Sequence, residues 1–227
     1  MKTKNIKYFS IALAILLTTV SCTEDFLDVK PKGTDLEETY YKNADEAYSA
    51  LVAAYDIMSF NSSSWDNMIS FMNAGSDDNY GASAPGDAIS LFSFYQLTPT
   101  NMPQGFWSNH YQGIFRANTL LEKLPNVPMD ENLKLRFTAE CKAMRAYYHF
   151  NLVRMFGNIP LMARTISPIE AQTYPQSKPE EVYAQIEKDL TEAITDLPLS
   201  VNVATEGGRW TKGAAQAMLG KVFLYDK

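Results

Sequence analysis

The sequence predicts an all-α fold of packed helix pairs, interrupted by one long irregular insert. Three observations carry that prediction. Apolar residues recur at three- and four-residue intervals through five stretches of the chain, the spacing that gathers them on one face of a helix. Helix starts and stops punctuate those stretches, with capping boxes before two of them and Pro or Gly after most. Between Asn61 and Gly105 the period is lost, and serines, glycines, Pro85, Pro99 and Pro103 replace it.

Taken in order, Asn43-Ala44-Asp45-Glu46 opens the first helix as a capping box. Ala44, Ala47, Tyr48, Leu51, Val52 and Tyr55 then share a face up to about Phe60. The insert of about residues 61–105 follows, and a loop of that length inside a domain generally has a function. The second helix runs from about Gly105 to Leu124, with Trp107, Tyr111, Ile114, Phe115, Asn118 and Leu121 on or beside one stripe and Pro125 as its stop. The third, from about Glu131 to Phe156, carries Phe137, Cys141, Met144, Tyr148, Leu152 and Met155 at helical spacing, and Gly157 and Pro160 end it. Arg145 and Arg154 on this helix are expected to pair with acids or cap carbonyls. Ser177-Lys178-Pro179-Glu180 is a second capping box, leading into an apolar seam of Val182, Ile186, Leu190, Ala193 and Leu197 that Pro198 closes. A turn at Gly207-Gly208 leads to the last helix from about Thr211, with Ala214, Met218, Val222 and Tyr225 expected inward.

The N-terminus reads as a leader. Three lysines without an acid, an apolar stretch from Tyr8 to Val20, then Ser21-Cys22 give a secretory signal peptide over 1–21, too short to cross a bilayer as a permanent helix. Leu17-Thr18-Thr19-Val20-Ser21-Cys22 resembles a bacterial lipobox, so Cys22 is the expected lipidation site and the chain's anchor to the membrane. The other cysteine, Cys141, falls on an amphipathic helix as a small core residue. The acidic pair Glu24-Asp25 behind Cys22 resembles an export signal to the outer face of the outer membrane. Pro31 and Gly33 keep residues 22–42 from forming a helix and make them a tether.

Removing the leader's three lysines takes the net charge from −6 to −9. An acidic chain without a basic run is a poor match for nucleic acid. Hydrophobic residues at 46% are enough to fill a core in the 43–227 domain.

Four segments together resemble the N-terminal half of the SusD/RagB family: Cys22 followed by Phe26-Leu27-Asp28, and the runs FWSNHYQGIFRANTLLEKL (106–124), AECKAMRAYYHFNLVRMFGNIPL (139–161) and GRWTKGAAQAMLGKVFLY (208–225). The third is the most specific, through Arg145-Ala146-Tyr147-Tyr148, Phe156-Gly157 and Ile159-Pro160-Leu161. The resemblance implies an all-α fold of tetratricopeptide-like helix pairs, an α/α superhelix with an irregular ligand-binding region. A faint internal echo agrees with it: Ala143-Met144-Arg145-Ala146 and Ala217-Met218-Leu219-Gly220 lie 74 residues apart, close to two units of the roughly 34-residue tetratricopeptide repeat. It further implies a nutrient-binding surface lipoprotein that acts as the lid of a SusC-like TonB-dependent outer-membrane barrel. Such a lid captures an oligosaccharide or peptide and is not an enzyme, and no cofactor is implied. Members are roughly twice as long, so the chain is expected to be incomplete at its C-terminus.

Glycan recognition needs a flat aromatic to stack on a sugar face beside amides or carboxylates that bond its hydroxyls. The insert supplies Trp65 with Asp66 and Asn67, then Asp77, Asp78, Asn79 and Tyr80, and later Tyr95; Trp107, at the start of the second helix, is a further candidate. A rival reading is a surface glycoside hydrolase using Asp66, Asp77 or Asp78, and a third is a purely structural lipoprotein. No catalytic or metal-ligating set is assigned: His110 and His149 lie apart on helices, and HExxH, P-loop and GxGxxG motifs are missing.

Overall fold

A computed structural model describes residues 40–63, 67–79 and 84–226. The leader, Cys22 and the tether up to residue 39 lie outside the described residues. The helix α1 spans Ala44–Ser63. Its capping box forms one step beyond the usual register: Glu46 N–H donates to Asn43 Oδ1 at 3.0 Å, and the Glu46 carboxylate accepts from Lys42 N–H at 2.7 Å. Ala47, Leu51, Ala54 and Ile57 form its buried stripe. Tyr48 and Val52, expected inward, are 42% and 47% exposed, because they line an open groove along α1 where Tyr48 meets α5 at its edge, 6.1 Å from the Phe137 ring.

The insert is not wholly irregular. It contains α2 (Met68–Ala74) and α3 (Ala88–Ser93), each too short to show a period in sequence. The helix α4 spans Gln104–Lys123 and runs into a 3₁₀ turn at Leu124–Asn126. The helix α5 spans Glu131–Phe156, opened by Asp130, whose carboxylate accepts from Leu133 N–H at 3.0 Å. Gly157 ends it at φ 70°, a left-handed conformation that costs glycine little. After the short α6 (Pro168–Ala171), α7 spans Pro179–Asp196. Its cap lies at Lys178 rather than Ser177: the Glu181 carboxylate accepts from Lys178 N–H at 3.2 Å. Ser177 is drawn away because its N–H donates to Ile159 O at 2.8 Å in an antiparallel bridge. The short α8 covers Val203–Glu206, and α9 covers Lys212–Tyr225 with Thr211 as its cap. On α9, Val222 is buried as expected and Met218 half-buried, whereas Ala214 and Tyr225 are exposed and Ala215 is buried instead.

Long helices pack in sequence order, α1 on α4, α4 on α5, α5 on α7 and α7 on α9. Alternate helices also touch, α1 with α5 and α5 with α9. That pattern sets α1, α5 and α9 in one layer and α4 and α7 in the other, the arrangement of tetratricopeptide-like pairs. Close approach of α4 and α5 depends on Gly113, where a Cβ would lie 2.5 Å from the Tyr148 ring. Through that gap Tyr148 reaches α1 and donates from its hydroxyl to Ala54 O at 2.6 Å.

One polar network locks the layers. Arg145 of α5 donates twice to Asp189 of α7, at 2.8 and 2.6 Å, once to Asn118 of α4 at 2.8 Å, and once to Ala163 O at 2.8 Å. Asn118 Nδ2 in turn donates to Met162 O and Arg164 O, both at 2.9 Å, and the Tyr111 hydroxyl to Pro160 O at 2.9 Å. The extended segment after Gly157 thus has most of its carbonyls satisfied by side chains, with Ile159 O alone taken by the backbone bridge to Ser177.

Candidate ligand-binding surface

The α2–α3 insert owes its position to aromatic packing. Asn67 caps α2, its side chain accepting from Ser70 N–H at 2.9 Å. Phe71, fully buried, meets Phe92 of α3 edge-on at 5.3 Å between centroids and Phe106 of α4 at 6.5 Å. Two short helices that would not hold alone are thereby fixed to the α4 end of the layers.

At the end of α2 the chain turns at Gly75, and Asp77, Asp78 and Asn79 project from the turn, all exposed. Past α3, Tyr95 is 80% exposed, and its hydroxyl donates to Gly75 O at 2.9 Å. A bond across 20 residues therefore brings the Tyr95 ring to the acidic turn. This surface offers a flat ring, carboxylate acceptors and an amide in one place, which suits a hydroxyl-rich ligand. Trp65, Asp66 and Tyr80 lie outside the described residues. Trp107 is half-buried in the first turn of α4, packed on Tyr111 at 4.8 Å and edge-on to Phe156 at 5.1 Å. These contacts join the packing between α4 and α5 and leave the residue partly accessible.

A second feature carried no signal in the sequence. A groove of about 420 Å³ runs along the open flank of α1, between Tyr48, Val52, Tyr55 and Met58 and the Thr205–Arg209 turn. Beneath it Glu140, fully buried, accepts from the Tyr55 hydroxyl at 2.7 Å, from Arg136 Nε at 2.9 Å and from Arg209 at 2.7 and 3.1 Å. Burial and the Glu140 charge push the Tyr55 phenol far above its ordinary range, so it stays protonated. Arg136 lies one helical turn from Glu140 on α5, whereas Arg209 and Tyr55 arrive through tertiary packing.

The histidines serve the core. His110 stacks on Phe106 at 4.1 Å, with Nδ1 2.7 Å from Phe106 O, and burial holds it down to about 4. His149 is fully buried with Nδ1 3.1 Å from Arg145 O, and burial together with the Arg145 charge takes it to about 3. Burial also raises the Cys141 thiol, leaving it an unreactive core group. Among the described residues no three His, Cys, Asp or Glu side chains are grouped to hold a metal ion.

Comparison with known proteins joins these observations. A SusD-like family model, described as starch-binding associating with outer membrane, matches residues 25–224. The chain is 28% identical over 222 residues to a SusD-like protein of Bacteroides ovatus, covering 96% of this chain and 39% of the relative. It is 26% identical over 227 residues to SusD-like protein P38 of Formosa agariphila, covering 98% and 43%. Among solved structures, a laminarin binding SusD-like protein superposes with a TM-score of 0.77 at 52% identity, covering 82% of this chain and 41% of that one. A SusD homolog from Bacteroides thetaiotaomicron superposes at 0.71 with 32% identity, covering 82% and 37%. The chain spans about two fifths of the length of the relatives it matches. With a family model matched along nearly its whole length, and helix pairs that superpose on solved members, the chain belongs to the SusD-like family.

Proposed function

We propose that this chain binds a glycan at the bacterial cell surface, held to the outer membrane by lipid on Cys22. In this reading it is the lid of a SusC-like TonB-dependent barrel that imports the captured ligand. The observation that supports it best is the 52% identity to a laminarin binding SusD-like protein across 82% of the chain. The proposed seat is the α2–α3 insert: Tyr95 stacks on a sugar ring, and Asp77, Asp78 and Asn79 bond its hydroxyls. Trp65, Tyr80 and Trp107 are the remaining proposed ligand residues. Binding alone accounts for this surface, and no bond in the ligand is broken.

Electrophoresis of the mature chain through gels containing laminarin or other polysaccharides tests the glycan reading. Retardation by laminarin is expected, and Tyr95→Ala is expected to weaken it about tenfold or more, as truncation of a central aromatic contact does. Migration unchanged by every polysaccharide would sink it. The anchor and the partner have separate tests. Cys22→Ser should release the protein from membranes, and the wild type should co-purify with a large barrel protein from outer-membrane extracts.

A further inference from the structure

We propose that Gly75 and Phe92 are positioning residues for the Tyr95 ring, so that the α2–α3 insert presents one rigid ligand surface instead of two independent loops. The inference rests on the glycan-binding reading of that same surface.

Tyr95 has φ 55°, in the left-handed region. A bulky residue there is strained by roughly 1 kcal/mol or more and stays only where its surroundings hold it. Two ties hold Tyr95. At its root, Tyr95 N–H donates to Phe92 O at 3.0 Å, and Gln96 N–H donates to Leu91 O at 2.8 Å, closing the turn after α3. At its tip, the hydroxyl donates to Gly75 O at 2.9 Å. The ring between these ties is left bare to solvent.

Gly75 is the other half of the device. It ends α2, with its N–H on Phe71 O at 2.9 Å, and a Cβ on it would lie 2.6 Å from Phe92 Cε1 and 3.2 Å from Cδ1. Phe92 is itself braced edge-on by Phe71. The end of α2 and the body of α3 therefore touch because residue 75 lacks a side chain. The carbonyl that receives the Tyr95 hydroxyl belongs to the residue that leads into the Asp77–Asn79 turn. Ring and turn are consequently referred to one point, and a ligand spanning both meets them already ordered, which lowers the entropy lost on binding.

Three variants test this. Tyr95→Phe keeps the ring and removes the tip bond. Gly75→Ala forces Phe92 outward, and Gly75→Ala with Phe92→Leu gives the room back. The first two are expected to weaken laminarin binding about three- to tenfold, the worth of one hydrogen bond, with the melting temperature of Tyr95→Phe unchanged. The double variant should regain most of the loss. Amide hydrogen exchange at residues 76–79 should quicken in Tyr95→Phe. Wild-type affinity in Tyr95→Phe and Gly75→Ala, with exchange unchanged, would overturn the proposal. If the wild type binds none of the polysaccharides, the glycan reading fails separately, and exchange at 76–79 still decides whether Tyr95 orders the turn.

Discussion

In the α4–α5–α7 layers, side chains from three helices meet in one buried network around Arg145, Asp189 and Asn118. In the insert, helices of seven and six residues rest on the Phe71–Phe92–Phe106 contacts and one exposed bond from Tyr95. A change registers differently in the two regions. Deleting a buried charge partner leaves its mate unsolvated and is felt as lost stability. An exposed ring has little to lose on unfolding, so its deletion is felt in whatever it binds.

Substitutions can press on that contrast, the largest effect coming from Arg145→Ala. It strands the Asp189 carboxylate, 1% exposed, and the Ala163 carbonyl, and is expected to cost about 3–5 kcal/mol in urea unfolding. Arg145→Met with Asp189→Leu should cost clearly less, since no buried charge remains.

Acid should act on the layers next. His110 and His149 are held to about 4 and about 3 in the fold and return to about 6.5 when unfolded. Below that pH the unfolded chain binds more protons, so their contribution is full above about pH 6.5 and is lost as pH falls toward 4 and 3. At about pH 5 the loss is on the order of 2 kcal/mol for each histidine. Melting curves across that window should flatten in His149→Gln.

Gly113→Ala drives a methyl into the Tyr148 ring, which is anchored at Ala54 and has no room to move. A destabilisation of about 1–3 kcal/mol is expected from the overpacking, measured by the same unfolding titration. Tyr95→Ala should be the smallest in stability, within about 0.5 kcal/mol of wild type, while producing the large binding loss described above. A drop in stability comparable to that of Gly113→Ala would erase the distinction between layers and insert.

Much of the scaffold was legible because its signals are local. Pro125, Gly157, Pro179 and Pro198 mark ends through the backbone of their own turn, and the α5 boundaries read from sequence agree with the structure. The α7 seam is buried at every position expected, from Val182 to Leu197. The cap of α7 shifted by one residue because Ser177 is held by Ile159 from outside its own segment. The helices α2 and α3 escaped notice for a related reason: two turns or fewer cannot display a period, and distant rings stabilise them.

The loop composition marked Asp77, Asp78, Asn79 and Tyr95 as candidates, yet nothing local said that Tyr95 reaches Gly75, or that Trp107 packs against Phe156. By itself, then, the sequence determined the long helices, their order, the runs that resemble the family, and the segment proposed to take a ligand. Tertiary structure decided which charges are buried together, which flank of α1 stays open, and which exposed ring meets the acidic turn. Caps and periodicity act within one or two turns of chain. The direction of a ring or a guanidinium is settled by residues dozens of positions away.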